Sequence, residues 1–436
     1  MSSDGRSFLA GDFEEEPWWW HAAPRPVQSS VDNFPDKADV VVVGSGFTGL
    51  SAALTLARAG REVVVLDAQA PSFGASSRNA GFVGRTLKHS FSALIKAHGL
   101  DYAVQVYREL DAAFDLVFEL VSRENIHCYL TRCGRFMGAL NTEHLDLMKG
   151  ELELRQKHLG HHFEMISESR QSEEIGSSRY VGGALMPDFG SIHPGLYHLG
   201  LLDSAQSANA RIIGHTPVIA VRPDGIGFTV DTPRGVLIAK DVIVATNGYT
   251  NRSAPWLRRR LIPFHGYMIA TEVLSEDVIT KILPNNRTFH DYNNNLVYIR
   301  QAPDQPRLLM GAYTGGPVGR LSQISKQLKS RLDAIFPELK TVKLSRLWSG
   351  QCAGTFDLWP HVGVHEGVHY AMGYCFAGLP MGTYLGDKVA RKVLGLPEAE
   401  TVFANRAFRS HPMYTGNPWF LPLMMRWYDR QDVVYS

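Results

Sequence analysis

Ala38-Asp39-Val40-Val41-Val42-Val43-Gly44-Ser45-Gly46-Phe47-Thr48-Gly49 opens the stretch whose reading decides the fold. The β-branched run from Asp39 to Val43 reads as a strand buried on both faces. A glycine turn comes next, and Leu50 to Ala59 then carries apolar residues at helical spacing, with a stop at Gly60. Glu62 to Leu66 is a second buried strand, so strand, helix and strand succeed one another as a βαβ unit. The glycines fit G-x-G-x-x-G in the context that motif requires, and each has a task. Gly44 permits the tight turn, Gly46 lets the backbone approach a pyrophosphate, and Gly49 lets helix and strand close up. Ser45, Phe47 and Thr48 complete the turn, whose free amides and positive dipole end suit phosphate. Asp67 ends the second strand eighteen residues after Gly49, with Ala68 beyond it, and a carboxylate there accepts hydrogen bonds from ribose hydroxyls. An acid at that place disfavours a phosphorylated ribose such as that of NADP. The glycines alone are common between strand and helix; the complete ordered set points to a dinucleotide.

The residues beyond Asp67 decide which dinucleotide. Gly74-Ala75-Ser76-Ser77-Arg78-Asn79-Ala80-Gly81 is a small, polar, glycine-punctuated turn just past the ribose acid. Nothing in a nicotinamide-binding half requires it. An extended FAD molecule does, because more chain is needed to hold its pyrophosphate and lead it to the flavin ring.

Outside this stretch, composition sets bounds. The chain has 436 residues, 44% hydrophobic and 20% charged, with a formal net charge of +1. That length exceeds what one core usually serves, so two domains are expected. The balanced charge gives no global field for nucleic acid or an anionic membrane. Arg258-Arg259-Arg260 is the densest basic cluster and reads as a solvated turn after Pro255. The four cysteines, Cys128, Cys133, Cys352 and Cys375, show no metal or redox spacing, and no set of metal ligands stands out. The N-terminal residues lack the apolar core of a signal peptide, and no apolar run approaches the length of a spanning helix. A cytoplasmic protein is expected. Trp18-Trp19-Trp20 stand in an acidic, Pro-rich arm, and such exposed tryptophans are expected to fold back onto the body rather than await a partner.

Beyond these motifs the sequence resembles the D-amino-acid oxidase-like flavoprotein superfamily, and within it the gamma-glutamylputrescine oxidase-like group. The resemblance runs from about Trp18 to the C-terminus. It is carried by GSGFTGLSAAL, GASSRNAG, ATNGYTN at 245–251, IPFHGYMIATE at 262–272 and LVYIRQAPDQPRLLMG at 296–311. WSG at 348–350, TFDLWPHVG at 355–363 and GYCFAGLPMG at 373–382 complete it. It implies an α/β protein with a discontinuous Rossmann-type FAD domain, assigned to residues 38–90, 191–258 and 345–402. A sheet-based α+β substrate domain takes 91–190 and 259–344, with an arm at 1–37 and a tail at 403–436. The tail's FLPLMMRWYDRQD reads as a docked segment, with a membrane-surface helix as the alternative.

Carried over by motif, Ser76, Ser77, Arg78, Asn79 and Gly81 hold the cofactor, and Val218 reaches the adenine through its backbone. Ala245, Thr246 and Gly248 form the turn under it, with Gly350 nearby. Gly378, Leu379, Pro380, Met381, Gly382 and Thr383 aim helix-terminal amides at the flavin's pyrimidine edge, where a reduced flavin carries negative charge. Ala377 stands where a histidine is frequent, and Leu309 where sarcosine oxidases carry an oxygen-activating lysine. Cys352 and Thr355 reproduce the C-x-x-T spacing of a covalent flavin cysteine. No Lys or Arg adjacent in sequence activates that thiol, so non-covalent FAD is expected, a link to Cys352 being the alternative.

The family reaction oxidises a C–N bond of a small amine by hydride transfer to flavin, giving an imine that hydrolyses. Oxygen or another carrier then accepts the electrons. Tyr298 and Arg300, two apart on an expected strand, project to one face, and Arg has the fork to hold a carboxylate. The alternative for that pair is an ordinary surface salt bridge. His265 and Tyr267 on a neighbouring strand are further candidates, with Trp348 and Tyr384 behind them. An amine oxidase is therefore expected. A flavin dehydrogenase of the same fold is the second reading, and a non-catalytic or tRNA-modifying flavoprotein the third.

Overall fold

The computed structural model describes residues 8–26, 34–225, 227–315, 321–404 and 406–432. The strand Lys37–Val43 lies between two parallel neighbours, Val63–Leu66 on one side and Gly235–Val244 on the other. Val40, Val41 and Val42 are wholly buried, as expected of a strand covered on both faces. Arg211–Ile213 extends this sheet beyond Val63–Leu66. Val368–Met372 joins it at the end of Gly235–Val244, and the antiparallel strands Gly227–Thr232 and Ala220–Asp224 complete that edge.

The helix Phe47–Arg58 springs from the first strand and lies in one apolar core with Leu100–Arg123 and Gly378–Val393. Two glycines make this start possible. Gly44 has φ +103°, a left-handed turn that other residues resist. A Cβ on Gly49 would stand 1.8 Å from the Gly44 carbonyl oxygen, so helix and turn approach as closely as backbone allows.

A second, nine-stranded sheet runs in the order Leu9–Glu14, Leu344–Thr355, Leu261–Thr271, Leu308–Gly315, Tyr298–Gln301, Thr288–Asp291, Arg135–Gly138, Gly182–Met186, Glu164–Ser167. Its spine is the antiparallel pair Leu261–Thr271 and Leu344–Thr355. Three segments depart from the division drawn on sequence. Leu100–Arg123 packs in the core of the dinucleotide sheet, because its stripe from Ala103 to Leu120 is complementary to the helix Gly378–Val393. Leu344–Thr355 belongs to the second sheet, since its backbone groups pair with Leu261–Thr271. Leu9–Glu14 of the arm is an edge strand of that same sheet.

The tryptophans anchor the arm. Trp18 and Trp19 are buried; their indoles donate to Asp304 at 3.1 Å and to the Asn79 carbonyl at 2.8 Å. Trp20 donates to the Ser77 hydroxyl at 3.0 Å. The tail carries the helix Leu421–Gln431. Asp432 there accepts the backbone amides of Asn294 and Asn295 at 2.7 and 2.8 Å, and Asp429 accepts the Asn295 side chain. Among the described residues no helix is long and apolar enough to cross a membrane.

Candidate active site

A cavity of about 530 Å³ runs from the glycine turn to the second sheet. At its first end, Gly44, Ser45, Gly46, Phe47 and Thr48 form the floor, beside Asp67 and Ala68. The Asp67 carboxylate accepts the Ser45 amide at 2.8 Å, the Ser45 hydroxyl at 2.6 Å and the Gln69 amide at 2.9 Å. A carboxylate offers roughly four acceptor sites, so capacity for a ribose remains. Val218, Ala245 and Thr246 line the same region.

These residues fit the adenosine diphosphate half of FAD on one particular observation. Gly46 has an ordinary backbone (φ −73°, ψ −177°) that any residue adopts, and a Cβ there would meet only the Ser76 hydroxyl, at 3.0 Å. No protein packing calls for glycine. A side chain at Gly46 would enter the cavity where a pyrophosphate must approach the helix N-terminus.

The GASSRNAG segment forms the next wall, and its polar side chains hold it in shape. Ser76 accepts the Phe47 amide at 3.0 Å, and Ser77 donates to the Ser72 carbonyl. Asn79 accepts the Gly81 amide at 2.8 Å and donates to the Ser76 carbonyl at 2.8 Å. Arg78 donates to Phe73 O at 2.7 Å and Ser349 O at 3.0 Å, tying the segment to the second sheet. Ser76, Arg78 and Asn79 line the cavity, whereas Ser77 and Gly81 stand behind it.

Gly350, Cys352, Gly378, Leu379 and Pro380 line the far part. No side chain caps the helix Gly378–Val393, and Cys375 and Phe376 just before it have φ of +46° and +80°. Such conformations persist where surrounding structure over-determines them. Met381, Gly382 and Thr383 do not line the cavity. The Thr383 carbonyl accepts from Ser51 at 2.7 Å, so this turn packs against the first helix. Gly248 lies below, where a Cβ would meet the Cys352 carbonyl oxygen at 2.6 Å.

One candidate for substrate contact lines the cavity and the others do not. Tyr298 lines the cavity, its ring lying against Gly311, where a Cβ would stand 2.0 Å from it. His265 and Tyr267 do not: Gly266 and Met268 of their strand face the cavity, and Tyr267 packs in the core behind the sheet. The alternation was read in the wrong phase. Arg300 also falls away from the cavity. Its Nη1 donates to the carbonyls of Ala80, Gly81 and Ile192 at 3.2, 3.2 and 2.7 Å, and its Nε to Gln301 O. It is neither a surface salt bridge nor an open fork; it braces the GASSRNAG segment from behind. Arg300→Ala should therefore destabilise the fold by about 3 kcal/mol or more, since a charge-assisted set is lost and buried carbonyls are left unpaired. The FAD-loaded variant should show equal changes in KM for carboxylated and uncharged amines, measured side by side with its thermal midpoint. Trp348 and Tyr384 do not line the cavity either; they donate to Arg78 O and Glu109.

Arg135 and His290 line this end of the cavity and come from neighbouring strands of the second sheet. Burial pushes the Arg135 guanidinium down to about 10, which leaves it cationic at neutral pH. His290 is pushed down to about 4 by burial first and then by Arg135, so its imidazole is neutral. Its Nδ1 donates to the Asp291 carbonyl at 2.8 Å, which makes Nε2 the acceptor. Sequence reading missed both. Arg135 sits in a four-residue strand, Arg135–Gly138, after a helical region, and its pairing with Thr288–Asp291 and Gly182–Met186 sets its direction. His198 was missed as well. It is buried, and its Nε2 donates to the Ser45 carbonyl at 2.7 Å, holding the glycine turn in place. Among the described residues no group of His, Cys, Asp or Glu could hold a metal.

Comparison with known proteins agrees with this geometry. The DAO family model, described as FAD dependent oxidoreductase, matches residues 39–392. The chain is 31% identical over 369 residues to gamma-glutamylputrescine oxidoreductase of Escherichia coli, across 84% of this chain and 86% of that protein. It is 30% identical over 374 residues to the probable oxidoreductase OrdL of Haemophilus influenzae, across 84% and 85%. Glycine oxidase from Geobacillus kaustophilus superposes with a TM-score of 0.72 at 24% identity, across 86% of this chain and 99% of that one, a likeness of fold alone. The glycine motif, the α/β architecture around this cavity, and these matches agree: the chain belongs to the DAO family of FAD-dependent oxidoreductases.

Proposed function

We propose that this enzyme oxidises the C–N bond of a small amine that carries a carboxylate, with Arg135 as the carboxylate's anchor. The observation that carries this reading is an unpaired buried cation. Arg135 is 5% exposed, and its Nε donates to Thr288 Oγ1 at 3.3 Å. Its guanidinium lies 4.9 Å from the Phe82 ring and 4.6 Å from that of Phe189. Among the described residues no carboxylate forms an ion pair with it, and a buried charge without a counter-ion is costly. A ligand carboxylate at this wall would supply the missing charge. Gamma-glutamylputrescine and glycine, the compounds in the relatives' names, support a nitrogen substrate.

FAD, when bound, supplies the hydride acceptor for the carbon bearing the amine. The protein's part is to orient that carbon, exclude water and keep the amine neutral. Tyr298 and Met268 close one side of the cavity, and Nε2 of His290 offers an acceptor to the amine proton. The product imine hydrolyses after release. Matched pairs of N-methyl amines with and without a carboxylate test this reading. A preference of about a hundredfold in kcat/KM for the carboxylated member is expected; no preference would overturn it.

Leu309 favours a carrier other than oxygen as electron acceptor. It is fully buried under Trp18, Trp19 and Trp348, so no cation reaches the cavity from that position. Reduced enzyme is expected to reoxidise more slowly in air-saturated buffer than with a quinone analogue; oxygen as the faster acceptor would favour an oxidase.

We further infer non-covalent FAD. Burial pushes the Cys352 thiol up to about 11, so little thiolate exists at neutral pH to attack a flavin. Acid precipitation should leave the yellow colour in the supernatant. A yellow pellet that loses its colour in Cys352→Ala would show the bond.

A further inference from the structure

We propose that the site takes an amine bearing two acidic groups, one met by Arg135 and the other by Lys88. This deepens the proposed function and rests on it. Lys88 lies in the loop between the strand Phe82–Val83 and the helix Phe91–His98, and its side chain lines the same cavity as Arg135. Its Nζ stands 4.6 Å from the Phe376 ring, a contact that accommodates a cation without neutralising it. Among the described residues no carboxylate pairs with it. Arg135, Lys88 and His290 all line this one cavity, and both cations act on the His290 imidazole.

Among the described residues that line the cavity the one carboxylate is Asp67, and that group is committed to Ser45 and Gln69 at the other end. Among the described residues, the substrate end thus presents Arg135 and Lys88 and no carboxylate. Arg135 is buried and Lys88 is exposed at the cavity wall, and a ligand of opposite sign stabilises both, the buried guanidinium more strongly. A monocarboxylate would leave one of them unpaired. A polyamine would add further positive charge to the wall, where like charges repel. An amino dicarboxylate, or an N-substituted amino acid with a second acid on either arm, satisfies both. Although the Lys88 side chain is exposed, the protein atoms crowding its ammonium hold it below its ordinary pKa, and a carboxylate beside it would reverse that effect.

The test uses FAD-loaded protein and anions that cannot be oxidised as amines. Acetate and propanoate, then malonate, succinate and glutarate, are titrated against the absorption spectrum of the oxidised flavin. At least one dicarboxylate should bind about tenfold or more tightly than the better monocarboxylate. Lys88→Met should erase that ratio, and Lys88→Arg should keep it. Equal affinities in the unaltered protein would overturn the proposal, as would a ratio that survives in Lys88→Met. If that surviving ratio accompanies slower reoxidation by oxygen, Lys88 serves the electron acceptor and not the substrate. Amine oxidation assayed on the same preparation separates the two readings. Absence of any turnover would sink the proposed reaction, while the anion ratio would still report on Lys88.

Discussion

Gly46→Val is expected to give a folded protein without colour. Because the Gly46 backbone is ordinary and a Cβ would meet only the movable Ser76 hydroxyl, the fold has no reason to reject valine. The branched side chain would instead occupy the space through which a pyrophosphate reaches the amides of the helix Phe47–Arg58. FAD affinity should fall at least about a hundredfold, roughly 2.8 kcal/mol, as read by flavin retained after gel filtration. Gly49→Ala makes the contrasting case. Its Cβ would stand 1.8 Å from the Gly44 carbonyl oxygen, and backbone cannot step aside as a hydroxyl can. The penalty should exceed the ~1–3 kcal/mol of ordinary overpacking, so both stability and FAD are lost. A Gly46→Val protein that stays yellow would remove the pyrophosphate from that turn.

Arg135→Met is expected to lower kcat/KM for carboxylated amines by about 10²–10³-fold, since a desolvated charge pair is removed. Uncharged amines should change little, because methionine keeps the apolar stem between Phe82 and Phe189. Thermal stability should hold or rise, as the replaced group is a buried cation without a protein counter-ion. That pattern is the reverse of the one expected for Arg300→Ala. Loss of stability with selectivity unchanged would make Arg135 structural.

The dinucleotide half was legible because its signals are local. A glycine that turns, a glycine that yields space and an acid at a strand end are each readable within thirty residues of chain. The GASSRNAG segment was legible for the same reason: Ser77 and Asn79 bond within their own turn, while Ser76 reaches back to the Phe47 amide. The substrate half is set by register, which sequence does not display. In Leu261–Thr271 the cavity side falls on Gly266 and Met268, and the pairing with Leu308–Gly315 shifts between His265 and Tyr267. A one-residue change of phase exchanges the two faces, which is how His265 and Tyr267 came to be chosen. Tyr298 and Arg300 were given a common face, yet the arginine's length carries its guanidinium past the cavity to the carbonyls of Ala80, Gly81 and Ile192. Arg135 reaches the site through pairing of its strand with Gly182–Met186 and with Thr288–Asp291, the latter more than 150 positions later. Lys88 did carry a local signal, a basic residue seven positions beyond Gly81, and it went unread.

Anaerobic mixing of FAD-loaded protein with a panel of amines and amino acids tests the central claim most directly. Loss of the yellow flavin absorption is the readout, and no electron acceptor is needed, so the oxidase and dehydrogenase readings do not confuse it. Rapid bleaching by at least one carboxylated amine is expected, with the fastest members carrying two acidic groups. A flavin that stays oxidised with every amine, yet is bleached by hydroxy acids or other nitrogen-free donors, would contradict amine oxidation at this site.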